Sequence, residues 1–280
     1  MRKIDLHVHT ACSDGTVTPA ELVRLAKEAG LSAVAITDHD TEAGVREAEE
    51  AGRRLGIEVV PGIEISTKHL VAVHILGYYI DVAAPALREV LDFVIQDRDT
   101  RNRRLAEMMA ADGLPVSYEL MQSRFGPVIG RPHFAEILVE LGLAESINDA
   151  FARFVNKGQR YYLPRTILPI ERAVDIIVRS GGVAVLAHPF QYKKDDGELR
   201  ELIEHCMEHG LRGLECRYCG YSREREEYLE RLAGEYSLFR TGGSDFHGGH
   251  KPDNSLGGTG ALDTPYEWLE ELKTITRGVR

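Results

Sequence analysis

The chain has 280 residues, of which 43% are hydrophobic and 28% are charged, and these values exclude a disordered or fibrous protein. The formal net charge of −10 at pH 7 makes a broad basic face that grips a long duplex nucleic acid a poor expectation. No stretch approaches the roughly 18 apolar residues of a membrane span and the N-terminus lacks a signal-peptide core, so we expect no membrane partner and a cytoplasmic location.

Short apolar runs alternate with helical patterns along the chain, an order typical of a parallel α/β protein. The predicted strands are Lys3–His9, Ser32–Thr37, Ile57–Ser66, Leu70–Tyr78, Val183–His188, Arg212–Cys216 and Ser237–Gly242. The helices predicted between them are Ala20–Ala29, Glu42–Leu55, Ile170–Ser180, Glu198–His209 and Ser222–Gly234. Seven strands with intervening helices predict a barrel of (β/α) units that is smaller than the eightfold version.

This alternation stops after the fourth predicted strand. From about Thr100 to Thr166 the patterns are helical, and the predicted helices are Arg98–Ala111, Pro132–Leu141 and Ser146–Val155. We therefore expect a helical subdomain at 100–166, inserted between a first part of the barrel at 1–99 and a second part at 167–280. Insertions at the mouth of a barrel commonly build substrate pockets.

Side chains that bind metals recur at the predicted strand ends. His7 and His9 form an H-x-H at the end of the first strand, where alternate side chains point to the same side and both imidazoles can reach one ion. The full set of candidate ligands is His7, His9, Asp14, His39, Glu64, His74, His188, Asp245 and His247. Because the carboxyl ends of barrel strands converge on one mouth, we expect these side chains to gather there.

The prediction of a metal site depends on all nine candidate ligands together, because a lone histidine at a strand end is usually a surface or core residue whose hydrogen bonds are satisfied. Carboxylates and imidazoles that meet in a buried place are costly unless they are compensated, and divalent cations compensate them. Nine ligands are too many for one tetrahedral ion and fit two or three ions that share ligands. Asp38 and Asp40, on either side of His39, are expected to orient ligand imidazoles.

These motifs, H-x-H…D, T-D-H, a mid-chain Glu, H-P and a terminal D-x-H, resemble those of the polymerase-and-histidinol-phosphatase (PHP) family of the amidohydrolase superfamily. The resemblance runs from Ile4 to about Gly257. It implies a distorted (β/α)7 barrel and a trinuclear centre, with manganese as the first expectation and zinc or iron as alternatives. The implied ligand sets are His7, His9, Glu64 and Asp245 for the first ion, Glu64, His74 and His188 for the second, and Asp14, His39 and His247 for the third. Glu64, His188 and Asp245 are the residues expected to be catalytic.

Within the family, the segment R-x-H-F-A at 131–135 is similar to that of bacterial 3′,5′-nucleotide bisphosphate phosphatases and 5′-to-3′ exoribonucleases. Arg131 can supply a bidentate fork for a phosphate, and His133 a second donor near a helix N-terminus. Lys157, Arg160 and Arg165 are further candidates for a second phosphate, although basic residues in such a loop are often only solvated.

The sequence thus predicts a metal-dependent phosphoesterase, and the resemblance implies that it removes the 3′-phosphate of a 3′,5′-nucleotide bisphosphate. The 5′ end of a short RNA is a second substrate that the same pocket could take. Histidinol-phosphate phosphatase is the alternative enzyme. A non-catalytic PHP module that binds nucleic acid or supports a polymerase is the alternative from another class. The complete ligand set and the negative net charge count against that module.

Overall fold

The computed structural model describes residues 2–68, 72–126, 129–164, 167–258 and 263–278. Its strands are β1 (Lys3–Val8), β2 (Leu31–Ile36), β3 (Glu58–Lys68), β4 (Ala72–Tyr78), β5 (Leu168–Pro169), β6 (Val183–Leu186), β7 (Gly213–Tyr218) and β8 (Phe239–Gly243). Its α-helices are α1 (Pro19–Glu28), α2 (Val45–Leu55), α3 (Pro85–Ala111), α4 (Tyr118–Phe125), α5 (Arg131–Glu140), α6 (Ile147–Ala150), α7 (Ile170–Arg179), α8 (Asp196–Glu208), α9 (Arg223–Glu235) and α10 (Tyr266–Gly278).

Seven strands form a nearly closed, barrel-shaped sheet in the order β1-β2-β3-β4-β6-β7-β8, while the two-residue β5 pairs with β3 outside this path. A bridge between Val8 and Phe246 brings the two ends of the sheet together. The expected (β/α)7 barrel is therefore confirmed.

The expectation of a fully parallel barrel is wrong at one strand, because β4 runs antiparallel to both β3 and β6. In this direction β4 begins at the edge where its parallel neighbours end. His74, near the start of β4, consequently pairs with Ser66 near the end of β3. The reversal thus explains how a histidine early in its strand reaches the same mouth as histidines that end theirs.

The first helix begins as its sequence predicts, since Thr18 accepts a hydrogen bond from the Glu21 backbone N–H and Pro19 occupies the first turn. Three other helices differ from the predictions. α3 begins at Pro85, more than three turns before the expected Arg98. α4 and α10 lie in stretches with no predicted helix. In the described part of the chain, no helix is both long enough and apolar enough to cross a membrane.

The described residues between β4 and β5 form helices and turns. After α6 the chain makes one π-helical turn, Phe151–Val155. These elements pack around an apolar cluster of their own, which includes Phe134, Met121 and Leu138. The predicted boundary at residue 100 falls inside α3, because this helix packs its first half against the barrel core and its second half in the cluster of the insertion.

Candidate metal centre and substrate cleft

All nine candidate ligands meet at the mouth of the barrel. The first two, His7 and His9, lie at the end of β1. Both are fully buried, and their rings lie 5.2 Å apart. The Nε2 atoms of these histidines lie 3.4 and 3.3 Å from Oε2 of Glu64. The His9 Nε2 atom is also 3.2 Å from Oδ1 of Asp245. One strand therefore presents two imidazoles to two carboxylates, as the H-x-H spacing predicts.

Glu64 lies at the centre of the arrangement and is completely buried. Its Oε1 atom is 2.9 Å from Nδ1 of His74 and 3.0 Å from Nε2 of His188, and its Oε2 atom is 2.9 Å from Nδ1 of His39. Burial opposes ionisation of this carboxyl, but the surrounding imidazoles outweigh burial and hold its pKa well below the usual range. Glu64 is thus a carboxylate that two ions could share.

A second part of the centre lies toward solvent. The ligand atoms of four residues lie within 4.8 Å of one another there: His9, Asp14, His39 and His247. The Nε2 atom of His247 is 3.3 Å from Oδ1 of Asp14. Burial lowers the pKa of His247 to about 4, so this imidazole is neutral at pH 7 and has a lone pair for a cation.

The donor atoms fit divalent cations. Several nitrogen atoms in the centre are buried and make no hydrogen bond within the described residues: Nε2 of His7, both ring nitrogens of His9, Nδ1 of His39 and Nδ1 of His188. Buried polar atoms of this kind are costly unless a partner is supplied. Imidazole and carboxylate donors, grouped three or four at a time, are a donor set that transition-metal ions accept.

Sequence reasoning missed the carboxylate that orients these ligands. Glu215 of β7 is fully buried, and its Oε1 atom is 2.9 Å from Nδ1 of His7. Its Oε2 atom accepts a hydrogen bond of 2.6 Å from the backbone N–H of His188, where φ is a strained +24°. The signal in the sequence is a glutamate between Leu214 and Cys216 inside an apolar strand, a place where carboxylates rarely occur without a partner.

Two further side chains hold Asp245. The Tyr218 hydroxyl donates to its Oδ2 atom at 2.6 Å, and the Lys251 ammonium is 2.5 Å from the same oxygen. The opposite oxygen, Oδ1, is the one that lies near His7 and His9. Asp245 therefore presents one oxygen to the imidazoles while the protein holds the other.

The two aspartates beside His39 position backbone. Asp38 accepts hydrogen bonds from the Thr10 backbone N–H, the Thr10 hydroxyl and the Ser13 hydroxyl. Asp40 accepts from the backbone N–H of Ser66 at 2.8 Å. The hydrogen bonds of Asp38 thus fix the loop after β1 that carries Asp14, whereas the sequence predicts that Asp38 orients an imidazole.

A cleft of about 260 Å³ opens between this centre and the helical insertion. One wall contains Asp14, His39 and His74, and the other is formed by three arginines on α3 and α5: Arg98, Arg101 and Arg131. We call the second wall the arginine wall. Arg98 and Arg101 are only 4% and 8% exposed although both carry a charge. The arginine wall gives the cleft a cationic side opposite the metal ligands, which suits a phosphorylated ligand.

Arg131 is the one member of the arginine wall that the sequence singled out. Its guanidinium carbon lies 5.9 Å from the ring centroids of both Phe151 and Tyr162, which also line the cleft. Arg98 and Arg101 were missed as site residues. Their spacing of three places both on one face of α3, and that spacing within the run of charges at 97–104 is the available signal.

The other predicted phosphate-binding residues have different surroundings. The Nδ1 atom of His133 accepts a hydrogen bond from the Gly130 backbone N–H at 3.0 Å, and its ring stacks on Phe125 at 4.7 Å. Burial lowers the pKa of His133 to about 4. His133 thus caps α5 as a neutral imidazole outside the described lining of the cleft, and a contact between it and phosphate stays a prediction.

Lys157 and Arg160 are not part of the described lining of the cleft. Lys157 is exposed, and Arg160 forms a bidentate ion pair with Asp112 at 2.6 and 2.9 Å on the outside of the insertion. These hydrogen bonds lower the pKa of Asp112 to about 2. Arg165 lies outside the described residues. The structure therefore favours Arg98 and Arg101 over Arg160 as partners of a second phosphate.

A mixed barrel whose mouth gathers histidines and carboxylates beside a cationic cleft defines a metal-dependent phosphoesterase. Comparison with known proteins supports this class. The model of the PHP domain family matches residues 5–125. The 5′-3′ exoribonuclease Rnm of Salmonella typhimurium is 39% identical over 249 residues, which are 87% of this chain and 84% of that protein.

Two more proteins extend the comparison. The 3′,5′-nucleoside bisphosphate phosphatase of Chromobacterium violaceum is 33% identical over 264 residues, 92% of each chain. A solved structure from Bifidobacterium adolescentis, described as a metal-dependent phosphoesterase, superposes with a TM-score of 0.86 at 33% identity and covers 98% of this chain and 96% of that one. The chain belongs to the PHP family, and it is a phosphoric ester hydrolase that uses divalent metal ions.

Proposed function

We propose that this protein hydrolyses the 3′-phosphate ester of a 3′,5′-nucleotide bisphosphate, and that the same site accepts the 5′ end of a short RNA. The observation that carries this proposal is the cleft, in which candidate metal ligands face the arginine wall. A nucleoside with two phosphates can place the ester to be broken at the ligands and its other phosphate at the arginines. The names of the relatives from Chromobacterium violaceum and Salmonella typhimurium support both substrates.

We propose two to three divalent ions, with manganese as the first expectation and zinc or iron as alternatives. The proposed ligand sets are His7, His9, Glu64 and Asp245; Glu64, His74 and His188; and Asp14, His39 and His247. The four groups of donor atoms at the mouth support more than one ion, and Glu64 and His9 each contribute to two of these groups. When bound, divalent ions lower the pKa of a water molecule and neutralise charge on phosphoryl oxygens.

The residues of the chain divide the remaining tasks. Glu64, His188 and Asp245 would hold the metal ions at the reacting end of the site. Glu215 fixes the orientation of His188, and Tyr218 fixes that of Asp245. In both substrates the bond that breaks joins phosphorus to the 3′ oxygen of the first nucleotide. Water supplies the oxygen that phosphorus gains, and the released 3′ oxygen takes up a proton.

The arginine wall carries recognition. Arg131 can bind the 5′-phosphate through two parallel N–H···O bonds, and Arg98 and Arg101 add charge behind it. Phe151 and Tyr162, the aromatic side chains nearest Arg131, offer faces on which a base can stack. We further propose a cytoplasmic location. We also propose no activity on long duplexes, since the net charge of −10 opposes their binding.

A panel of substrates tests the proposal. Phosphate release is measured from 3′,5′-bisphosphates of several nucleosides, from the matching 3′- and 5′-monophosphates, and from histidinol phosphate, with and without added Mn²⁺. We expect the highest kcat/KM for a 3′,5′-bisphosphate and retention of its 5′-phosphate in the product. A preference for histidinol phosphate would replace the proposal by that alternative. No release from any substrate would favour the non-catalytic module.

A further inference from the structure

A second groove of about 390 Å³ lies beside the mouth of the barrel, apart from the cleft. It is built from the segments that follow β6 and β7 and from the N-terminal parts of α8 and α9. The cleft is instead lined by the segments that follow β1 and β2, by residues of β3 and β4, and by the helices that follow β4. In the order of the barrel strands, the two depressions thus flank the metal ligands from different sides. The chemistry of the cleft does not use this groove.

A continuous row of aromatic rings joins the groove to the metal centre. The ring of the ligand His188 lies 5.6 Å from that of Tyr218, which lies 5.1 Å from Tyr221. Tyr221 lies 5.3 Å from Phe190, a residue of the groove wall. Phe190 follows His188 by two residues, so the backbone places the start of the groove within about 7 Å of a ligand Cα atom.

The groove presents cations that have no acidic partner among the described residues. Lys194, Arg225 and Arg231 line it, and none of them makes an ion pair with any residue the structure describes. The guanidinium of Arg225 lies 5.2 Å from the ring centroid of Phe190. Arginines elsewhere on the same surface are paired, as Arg223 is with Glu227 and Arg200 with Glu235.

The carboxylates of the groove are mostly engaged. Asp195 caps α8 by accepting from the Glu198 backbone N–H at 2.9 Å, and Asp196 pairs with Arg200 at 3.0 Å. Glu224 is the remaining acid in the described wall. Three cations thus lie beside a row of aromatic rings, while two of the three carboxylates in the wall are already engaged by a helix cap or an ion pair. Cationic and aromatic side chains together can bind single-stranded nucleic acid without reading its sequence.

We propose that this groove binds the second and third nucleotides of a short, 5′-phosphorylated RNA whose first nucleotide occupies the cleft. The inference rests on the proposed function. When the bond between phosphorus and the first 3′ oxygen breaks, the phosphorus keeps its bond to the 5′ oxygen of the second nucleotide. The rest of the RNA then extends from the ligands on the side away from the arginine wall, where Phe190 offers stacking and Arg225 and Arg231 contact phosphates. A 3′,5′-bisphosphate ends at the ligands and does not reach the groove.

Paired kinetics test the groove. The double variant R225A/R231A is compared with R223A, which removes an exposed arginine of the same helix that is paired and lies outside the groove. Each protein, loaded with Mn²⁺, is assayed on a 3′,5′-bisphosphate and on a 5′-phosphorylated pentanucleotide. We expect the double variant to lose on the order of tenfold in kcat/KM on the RNA, mainly through KM, and to keep its activity on the bisphosphate. We expect R223A to match the original protein on both substrates.

Binding gives a second readout. The affinity for a pentanucleotide with a hydrolysis-resistant first linkage is measured against salt concentration, and the log–log slope should become shallower by about 0.7 for each phosphate that the double variant no longer neutralises. Equal activity of the double variant and R223A on RNA, or equal losses on both substrates, would overturn the groove. Cleavage of the bisphosphate but not of RNA by the original protein would also overturn it and leave the proposed function standing. If the original protein cleaves neither the bisphosphate nor the RNA, the proposed function is refuted. In that case a salt slope that is the same for the double variant and the original protein would refute the groove separately.

Discussion

The two walls of the cleft are built in different ways. The nine candidate metal ligands, which we call the ligand wall, come from the barrel strands and the segments that follow them, and Asp14, His39 and His74 of this set line the cleft. His7, His9 and Glu64 are fully buried. The arginine wall comes from α5 of the insertion and from the middle of α3, which joins the barrel core to the apolar cluster of the insertion. Strand ends fix ligand atoms to one another, whereas the helices set how far Arg131 lies from them. The contrast indicates that chemistry and recognition can change separately in this fold.

Substitutions in the ligand wall should reduce activity most. We expect Asp245→Ala to lower kcat/KM at least about 10³-fold on every substrate, because one carboxylate oxygen that lies near His7 and His9 disappears. Steady-state kinetics, metal analysis and circular dichroism measure the effect, with Asp175→Ala as a control at an exposed carboxylate on α7. An Asp245→Ala protein with more than a tenth of the original activity would contradict the assignment of Asp245 to the centre.

Substitutions in the arginine wall should reduce activity on some substrates and not on others. Arg131→Ala should lower kcat/KM on a 3′,5′-bisphosphate by about 10- to 150-fold, the range expected when a charge-assisted bidentate interaction of roughly 1.5–3 kcal/mol is removed. A small aryl phosphate, which has no second phosphate, should be hydrolysed almost as before, and the metal content should not change. Arg153→Ala, at an exposed and paired arginine of the insertion, is the control.

Two results would alter this division. Full activity of Arg131→Ala on bisphosphates would move the phosphate site to Arg98 and Arg101, the other members of the arginine wall. A loss of metal from the same variant would mean that the insertion also supports the ligand wall.

The support of the ligand wall can be tested through Glu215. Glu215→Gln keeps the size of the side chain but removes the charge beside Nδ1 of His7, and we expect metal affinity to fall about 10- to 100-fold. Activity should return when Mn²⁺ is raised in proportion, since no ligand has been removed. Titration with Mn²⁺ measures both quantities. A loss that high Mn²⁺ does not restore would assign Glu215 a direct part in the reaction.

The smallest effect is expected on the outside of the insertion. Arg160→Ala breaks the ion pair with Asp112, which is exposed, and should change kcat/KM on bisphosphates by less than about twofold. Kinetics beside the Arg131→Ala protein give the comparison directly. A tenfold loss would return Arg160 to the cleft as a phosphate ligand.

Much of the centre could be predicted because metal ligands at barrel strand ends must converge on one mouth whatever the loops do. The direction of β4 could not, because an apolar strand has the same residue pattern in either direction. Glu215 was missed because its role is to orient His7 and His188, and both of these residues are distant from it in the chain. The capping role of His133 depends on where α5 begins, and helix boundaries are the part of a sequence pattern that is least sharp.

The length of α3 limits how the protein can be re-engineered. Its 27 residues span about 40 Å, and the antiparallel β4 delivers the chain to the edge of the barrel away from the mouth, so α3 carries it back. Leu87 and Leu91 belong to the barrel core, Leu105 and Met109 to the cluster of the insertion, and the two buried arginines lie between them. A transplant of residues 100–166 between relatives would therefore cut one continuous helix between Arg98 and Arg101. An exchange that keeps α3 whole would have to begin before Pro85, and it would carry Leu87 and Leu91 of the barrel core with it.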